Sequence, residues 1–184
     1  VGLPSTSSRL RSLIREQPDH FALFSLERRF PLDEAALERS YLELSRLLHP
    51  DRQVALKSDE PLARRQARAL ALSASMNQAY ATLKDPTKRA EYLLKLLGGK
   101  TADQDKRTPQ DFLAEMLELR EEVETAEPAR LASLLAALED RAKEAFARLE
   151  GLFEAKDAPG IRLELNALKY VTNLIEELRA KVRA

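Results

Sequence analysis

Leucines and aromatics recur along this chain at three- and four-residue steps, and proline, glycine and aspartate punctuate the runs. Leu37, Tyr41, Leu44 and Leu48 fall at i, i+4, i+7 and i+11, which predicts one buried helical stripe. Asp33 is placed to cap that helix, because its carboxylate accepts from the first free N–H groups. Pro50 ends it, since proline lacks an N–H and restricts the residue before it. A short apolar segment, Phe21 to Leu26, and a turn-like stretch, Arg28 to Pro31, come earlier. Beyond the polar Lys57 to Glu60, Pro61 suits the first turn of a further helix. Leu72, Met76, Ala79 and Leu83 form its inward stripe, with Asn77 and Tyr80 beside it. Asp85 caps a short helix that opens with Pro86 and stops at Gly98–Gly99. Two long antiparallel helices, joined by an exposed loop and braced by short helices, are the expectation.

Gly98 to Thr108 is polar and without apolar periodicity, and reads as a linker. Helix restarts with Thr108 as cap and Pro109 as first residue. Phe112, Met116, Leu119 and Val123 make one stripe. Pro128 opens a second helix carrying Leu131, Leu134, Leu135, Leu138, Ala142, Ala145, Phe146, Leu149 and Phe153. The segment from Glu154 to Gly160 breaks it, and Ile161, Leu165, Leu168, Thr172, Ile175, Leu178 and Val182 define a third. Three amphipathic helices with short turns predict an antiparallel three-helix bundle. The fold class is therefore all-α, with a helical hairpin linked to that bundle. The divisions are 1–19 as an N-terminal extension, 20–97 as the first domain, 98–108 as linker and 109–184 as the second domain.

Composition narrows the function classes. Of 184 residues, 30 are Lys or Arg and 30 are Asp or Glu, so the formal net charge is zero. That balance argues against a nucleic-acid binder acting through bulk phosphate attraction. No cysteine is present, which removes thiolate metal sites, disulfides and cysteine nucleophiles. No apolar run approaches the roughly 20 residues that span a bilayer, and no nucleophile, phosphate loop or metal cluster supports an enzyme. The reading assigns no catalytic residue, no cofactor, no metal, no nucleic acid and no membrane. Val1 to Gln17 is rich in Ser and Arg, a composition similar to a transit peptide; a short helical extension around Leu10, Leu13 and Ile14 is the preferred expectation.

His49, Pro50 and Asp51 stand out because they present an imidazole and a carboxylate where the first long helix stops. Alone, the tripeptide reads as an ordinary helix-ending turn. A metal site there lacks a second ligand cluster, since the other histidine, His20, is distant. Downstream, Asn77, Ala79, Tyr80, Leu83, Pro86, Arg89 and Tyr92 complete a pattern that resembles the J domain. The run Arg89-Ala90-Glu91-Tyr92-Leu93-Leu94 is more particular. It looks like the J-domain co-chaperones of iron–sulfur cluster assembly (HscB type), where generic J domains usually have an acid after the tyrosine. Leu117-Glu118-Leu119-Arg120-Glu121-Glu122 resembles that family's scaffold-binding helix. Leu48 departs from the pattern by replacing the aromatic that usually precedes the histidine. The zinc-binding cysteines of some eukaryotic members are absent.

The resemblance implies a co-chaperone that stimulates a DnaK/HscA-type ATPase chaperone and delivers an iron–sulfur cluster scaffold protein of the IscU type to it. His49 would dock as a hydrogen-bonding group, Pro50 would fix the loop and Asp51 would offer a carboxylate to a basic site. Arg39 and Arg46 fall opposite the apolar stripe at about 100° per residue, and Arg52 extends that surface; the alternative is a solvated face, and Glu43 dilutes the basic patch. In the second bundle, Tyr170 and Leu163 lie away from the Ile161–Leu165–Leu168–Ile175 stripe, as a binding patch does. Leu113 and Leu117, about 100–140° from Phe112 and flanked by Glu118 and Glu121, match the family's scaffold-binding leucines and acids. Their alternative role is core. Ala114 stands where some relatives carry a larger apolar residue, and Tyr170 where they carry phenylalanine. A broader alternative is a general J-domain co-chaperone whose bundle binds another client or dimerises.

Overall fold

The computed structural model describes residues 18–49, 51 and 61–183. The described residues form helices α1 (His20–Leu23), α2 (Glu34–Leu48), α3 (Leu62–Lys84), α4 (Pro86–Leu96), α5 (Gln110–Thr125), α6 (Pro128–Glu154) and α7 (Ala158–Arg183). No strand occurs among them, and none of these helices is long and apolar enough to cross a membrane. They fall into two compact units, one ending at Arg89 and the other beginning at Ala90. This boundary lies inside α4, ahead of the Gly98–Thr108 stretch that reads as a linker. The Val1 to Gln17 extension lies outside the described residues.

In the first unit, local chemistry sets the helix ends. Asp19 accepts from the N–H groups of Phe21 and Ala22 at 2.9 and 3.0 Å, Asp33 from Ala36 at 2.9 Å, and Asp85 from Thr87 and Lys88 at 2.8 and 3.0 Å. Each bond satisfies a donor that the helix itself cannot. Phe21, Phe24, Leu37, Leu44, Ala79 and Leu83 are buried, and each such leucine contributes roughly 1.5–3 kcal/mol by leaving water. Antiparallel pairing of α2 with α3 appears in the contacts of Glu38 with Tyr80, Tyr41 with Asn77 and Ser45 with Met76. Arg89 is buried, its Nε donating to the Phe30 carbonyl at 3.0 Å and Nη1 to the Leu83 carbonyl at 2.5 Å. Burial pushes its pKa down, and these carbonyls satisfy the desolvated guanidinium.

Two sequence expectations need correction here. Tyr41 is half-buried rather than part of the core stripe. Its hydroxyl donates to Asn77 Oδ1 at 3.2 Å and its ring stacks on Tyr80 at 4.2 Å, so the polar tip holds it at the margin. Pro61 caps α3 instead of beginning it.

The second unit is built on the α6–α7 hairpin, whose core is Leu134, Leu138, Ala145, Leu149, Ile161, Leu165, Leu168 and Leu178. Arg148 reaches Glu164 and Arg179 reaches Glu139 across the antiparallel pair. Helix α5 runs antiparallel to α6, with Arg141 bound to Glu115 and Arg130 to Glu122, and hence parallel to α7. Pro109, not Thr108, occupies the cap of α5: its carbonyl accepts from Leu113 at 3.1 Å. Thr108 Oγ1, one residue too early to reach the free amides, is buried without a hydrogen-bond partner. Helix α7 begins before Ile161 because the Asp157 carboxylate accepts from the Gly160 amide at 3.0 Å.

Glycines and one lysine make the stops. Gly98, at φ +75°, donates to the Lys95 carbonyl while Gly99 donates to that of Leu94, the paired bonds of a left-handed helix terminus. Lys156 adopts the same conformation at φ 54° after α6. The polar stretch beyond Gly99 is tied down, since Asn166 Nδ2 donates to the carbonyls of Asp105 and Arg107, each at 2.9 Å.

Candidate functional site

His49 takes an extended backbone, φ −57° and ψ 135°, as the residue preceding a proline must. Both His49 and Asp51 project into solvent. The Asp51 amide donates to His49 Nδ1 at 3.3 Å. With Nδ1 engaged in that bond, Nε2 is the ring nitrogen left to meet a partner. The Asp51 carboxylate lies 3.6 Å from Nδ1. The turn therefore carries one imidazole nitrogen and one carboxylate open to a partner, and no third metal-ligating group joins them among the described residues. Pro50 and Arg52 lie outside the described residues.

Arg39 and Arg46 are exposed on α2, opposite the buried Leu37, Leu44 and Leu48. Arg39 keeps only a loose approach of 3.8 Å to Asp33. Arg46 has no ion pair among the described residues. Leu42 is exposed between them and Glu43 adjoins it, so this face is mixed rather than purely basic.

The second surface lies on α5 and α7. Tyr170 is 46% exposed, Leu113 36%, Leu117 61% and Leu163 41%. The buried stripe of α5 is carried by Met116 and Val123, with Phe112 and Leu119 half-buried. Glu118 and Glu121 are exposed and without an ion pair among the described residues. The parallel register of α5 and α7 brings the apolar members together. Phe112 meets Tyr170, Arg120 meets Glu177 and Lys181 meets the Val123 carbonyl, pairs 57 or 58 residues apart. In that register Leu113 stands level with Tyr170 and Leu117 follows one turn later.

Phe112 is the member that periodicity misassigned. It is half-buried and meets the Tyr170 ring edge-to-face at 6.2 Å, while the Arg141 guanidinium lies 5.0 Å from its centroid. Arg141 is held in turn by Glu115, whose carboxyl it keeps below the usual carboxylate range. Nothing in the local spacing of Phe112 distinguishes it from a core residue, because its partners lie on other helices.

Residues 108–179 match the family described as the HSCB C-terminal oligomerisation domain. Over its length the chain is 34% identical to the co-chaperone protein HscB homolog of Burkholderia mallei (strain SAVP1), across 92% of this chain and 97% of that one. Among solved structures it resembles the chaperone HscB from Vibrio cholerae, with 31% identity, a TM-score of 0.76 and coverage of 89% and 97%. It also resembles human co-chaperone protein HscB, with 28% identity, a TM-score of 0.79 and coverage of 90% and 83%.

Proposed function

The chain belongs to the HscB family, the J-domain co-chaperones of iron–sulfur cluster assembly, and from that premise we propose that it stimulates the ATPase of a DnaK/HscA-type chaperone and delivers an IscU-type scaffold protein to it. The observation that carries this reading is the pairing of two unlike surfaces in one chain. The first unit offers the His49 and Asp51 turn at the end of α2, and the second offers Leu113, Leu117 and Tyr170 beside Glu118 and Glu121, which have no ion pair among the described residues. The chemistry belongs to the partner ATPase; this chain supplies contacts. Nε2 of His49 donates to the chaperone, Asp51 answers a basic group, and Pro50, Arg39, Arg46 and Arg52 complete that surface. Contacts made better in the hydrolysis-competent chaperone state shift its population toward hydrolysis. Holding the scaffold on the same chain raises its effective concentration beside the chaperone.

His49→Gln is the direct test of the first surface, with chaperone ATPase followed in single turnover and helicity monitored alongside. Stimulation should be lost while helicity is retained; undiminished stimulation would remove the J-domain role. Titrating the scaffold against the Leu113→Ala, Leu117→Ala double variant tests the second. A loss of about 2 kcal/mol or more is expected for hot-spot leucines, and unchanged affinity excludes them.

A second reading keeps the J domain and gives the bundle to self-association or another client. The description of the matched family as an oligomerisation domain favours it, and sedimentation of the chain across concentration tests it. Because the similar curated protein is from Burkholderia, bacterial cytoplasm is the proposed location, with the mitochondrial matrix as the alternative.

A further inference from the structure

Helix α5 starts at Gln110, and at that end a groove opens between α6 and α7. Its volume is about 190 Å³, and its apolar lining includes Phe112, Ala145, Leu163, Ala167 and Val171. A closed apolar cavity of about 150 Å³ is enough to hold benzene, so this groove is of the size to take one leucine or aromatic side chain. Its rim is charged but internally paired. Arg148 holds Glu164 at 2.8 Å and Arg141 holds Glu115 at 2.8 Å. A charged occupant would have to compete with these pairs, whereas an uncharged one leaves them intact.

The groove is continuous with the surface described above. Phe112 forms its wall and touches Tyr170, and Leu163, exposed on α7, forms another part. Resting on the scaffold-docking reading, we infer that the groove receives an apolar side chain of the scaffold protein, whose main contact lies across Leu113, Leu117 and Tyr170. Two features of this chain define the occupant's chemistry. The internally paired rim and apolar lining select an uncharged, leucine- or phenylalanine-sized group. Glu118 and Glu121 on α5, without an ion pair among the described residues, select a partner surface that also carries basic groups. Ala167 and Leu163 thus act as specificity determinants beyond the leucine and tyrosine contacts.

The test compares variants of the full chain for affinity toward a purified IscU-type scaffold by titration calorimetry. Ala167→Phe fills the groove and Leu163→Gln removes an apolar wall at a position where solvent already reaches. Each should weaken binding about tenfold with helicity unchanged. If both bind normally while the Leu113→Ala, Leu117→Ala variant loses affinity, the groove inference is overturned and the docking reading survives. If the double variant also binds normally, the docking reading fails and takes the groove with it. If Leu163→Gln alters only self-association in sedimentation, the occupant is a second copy and the inference is again overturned.

Discussion

The guanidinium of Arg162 grips both carboxylate oxygens of Glu91, at 2.7 Å each, within the unit that begins at Ala90. Arg162 is 2% exposed, and its Nε donates to Asn166 Oδ1 at 2.9 Å. Asn166 passes the connection on to the carbonyls of Asp105 and Arg107. One buried cation therefore ties α4, α7 and the stretch before α5 together, with its donors matched by a planar bidentate acceptor.

The two ends of this pair are not equivalent, and that asymmetry is measurable. Glu91 is partly exposed whereas Arg162 is not. Glu91→Ala strands a buried charge, a loss of about 3 kcal/mol. Arg162→Met leaves a carboxylate that water can reach and keeps apolar packing, and the one buried group it strands, Asn166 Oδ1, is uncharged, so its cost should be smaller, about 1–2 kcal/mol. Urea unfolding followed by circular dichroism gives both values; equal losses would contradict the assigned asymmetry.

Asp105 predicts an acid limb in stability. Hydrogen bonds from the Arg107 side chain and amide lower its pKa from 3.8 to about 2. A carboxylate with a depressed folded-state value contributes stability above its unfolded value, and that contribution is lost as pH falls toward the folded one. Asp105→Asn should therefore be less stable than the parent at neutral pH. The difference should close between about pH 4 and pH 2. Thermal melts across that range check it, and a gap independent of pH would assign the loss to packing.

Lys156 offers a stabilising change. It sits in the left-handed region after α6, where its amide donates to the Phe153 carbonyl and that of Asp157 to Leu152. A side chain in this conformation costs about 1–2 kcal/mol, while glycine adopts it freely but loses more entropy on folding. Lys156→Gly should raise stability by about 0.5–1 kcal/mol. A lowered melting temperature would show that the lysine's own contacts outweigh its backbone strain.

What could be read in the sequence was what is local. Asp33, Asp85, Pro128 and Gly98 each act within a few residues, and each marks the helix boundary its chemistry requires. The outward direction of Leu163 and Tyr170 also follows from periodicity within one helix. What could not be read depends on distant partners. Tyr41 leaves the core for Asn77, 36 residues away, and Arg162 is buried because Glu91, 71 residues away, accepts its charge. Leu113 and Leu117 stayed divided between core and surface, since a helix with two neighbours can bury a wide face. The register of α5 against α7 decides that question, and no spacing within α5 reports it.

The ring of Tyr170, rather than its hydroxyl, should carry the scaffold contact. The ring stands edge-on to Phe112 and level with Leu113, so it is held on one side and open on the other, with 46% of the residue exposed. Pre-ordering of this kind lowers the entropy cost of docking, and aromatic anchors beside leucines are typical energetic centres of interfaces. Tyr170→Ala should weaken scaffold binding by about 2 kcal/mol. Tyr170→Phe keeps the edge contact and the apolar area and should stay within about 0.5 kcal/mol of the parent. Titration of both variants separates ring from hydroxyl. An equal loss in the two would reassign the role to a hydrogen bond from the phenol, and no loss in either would move the docking surface away from α7.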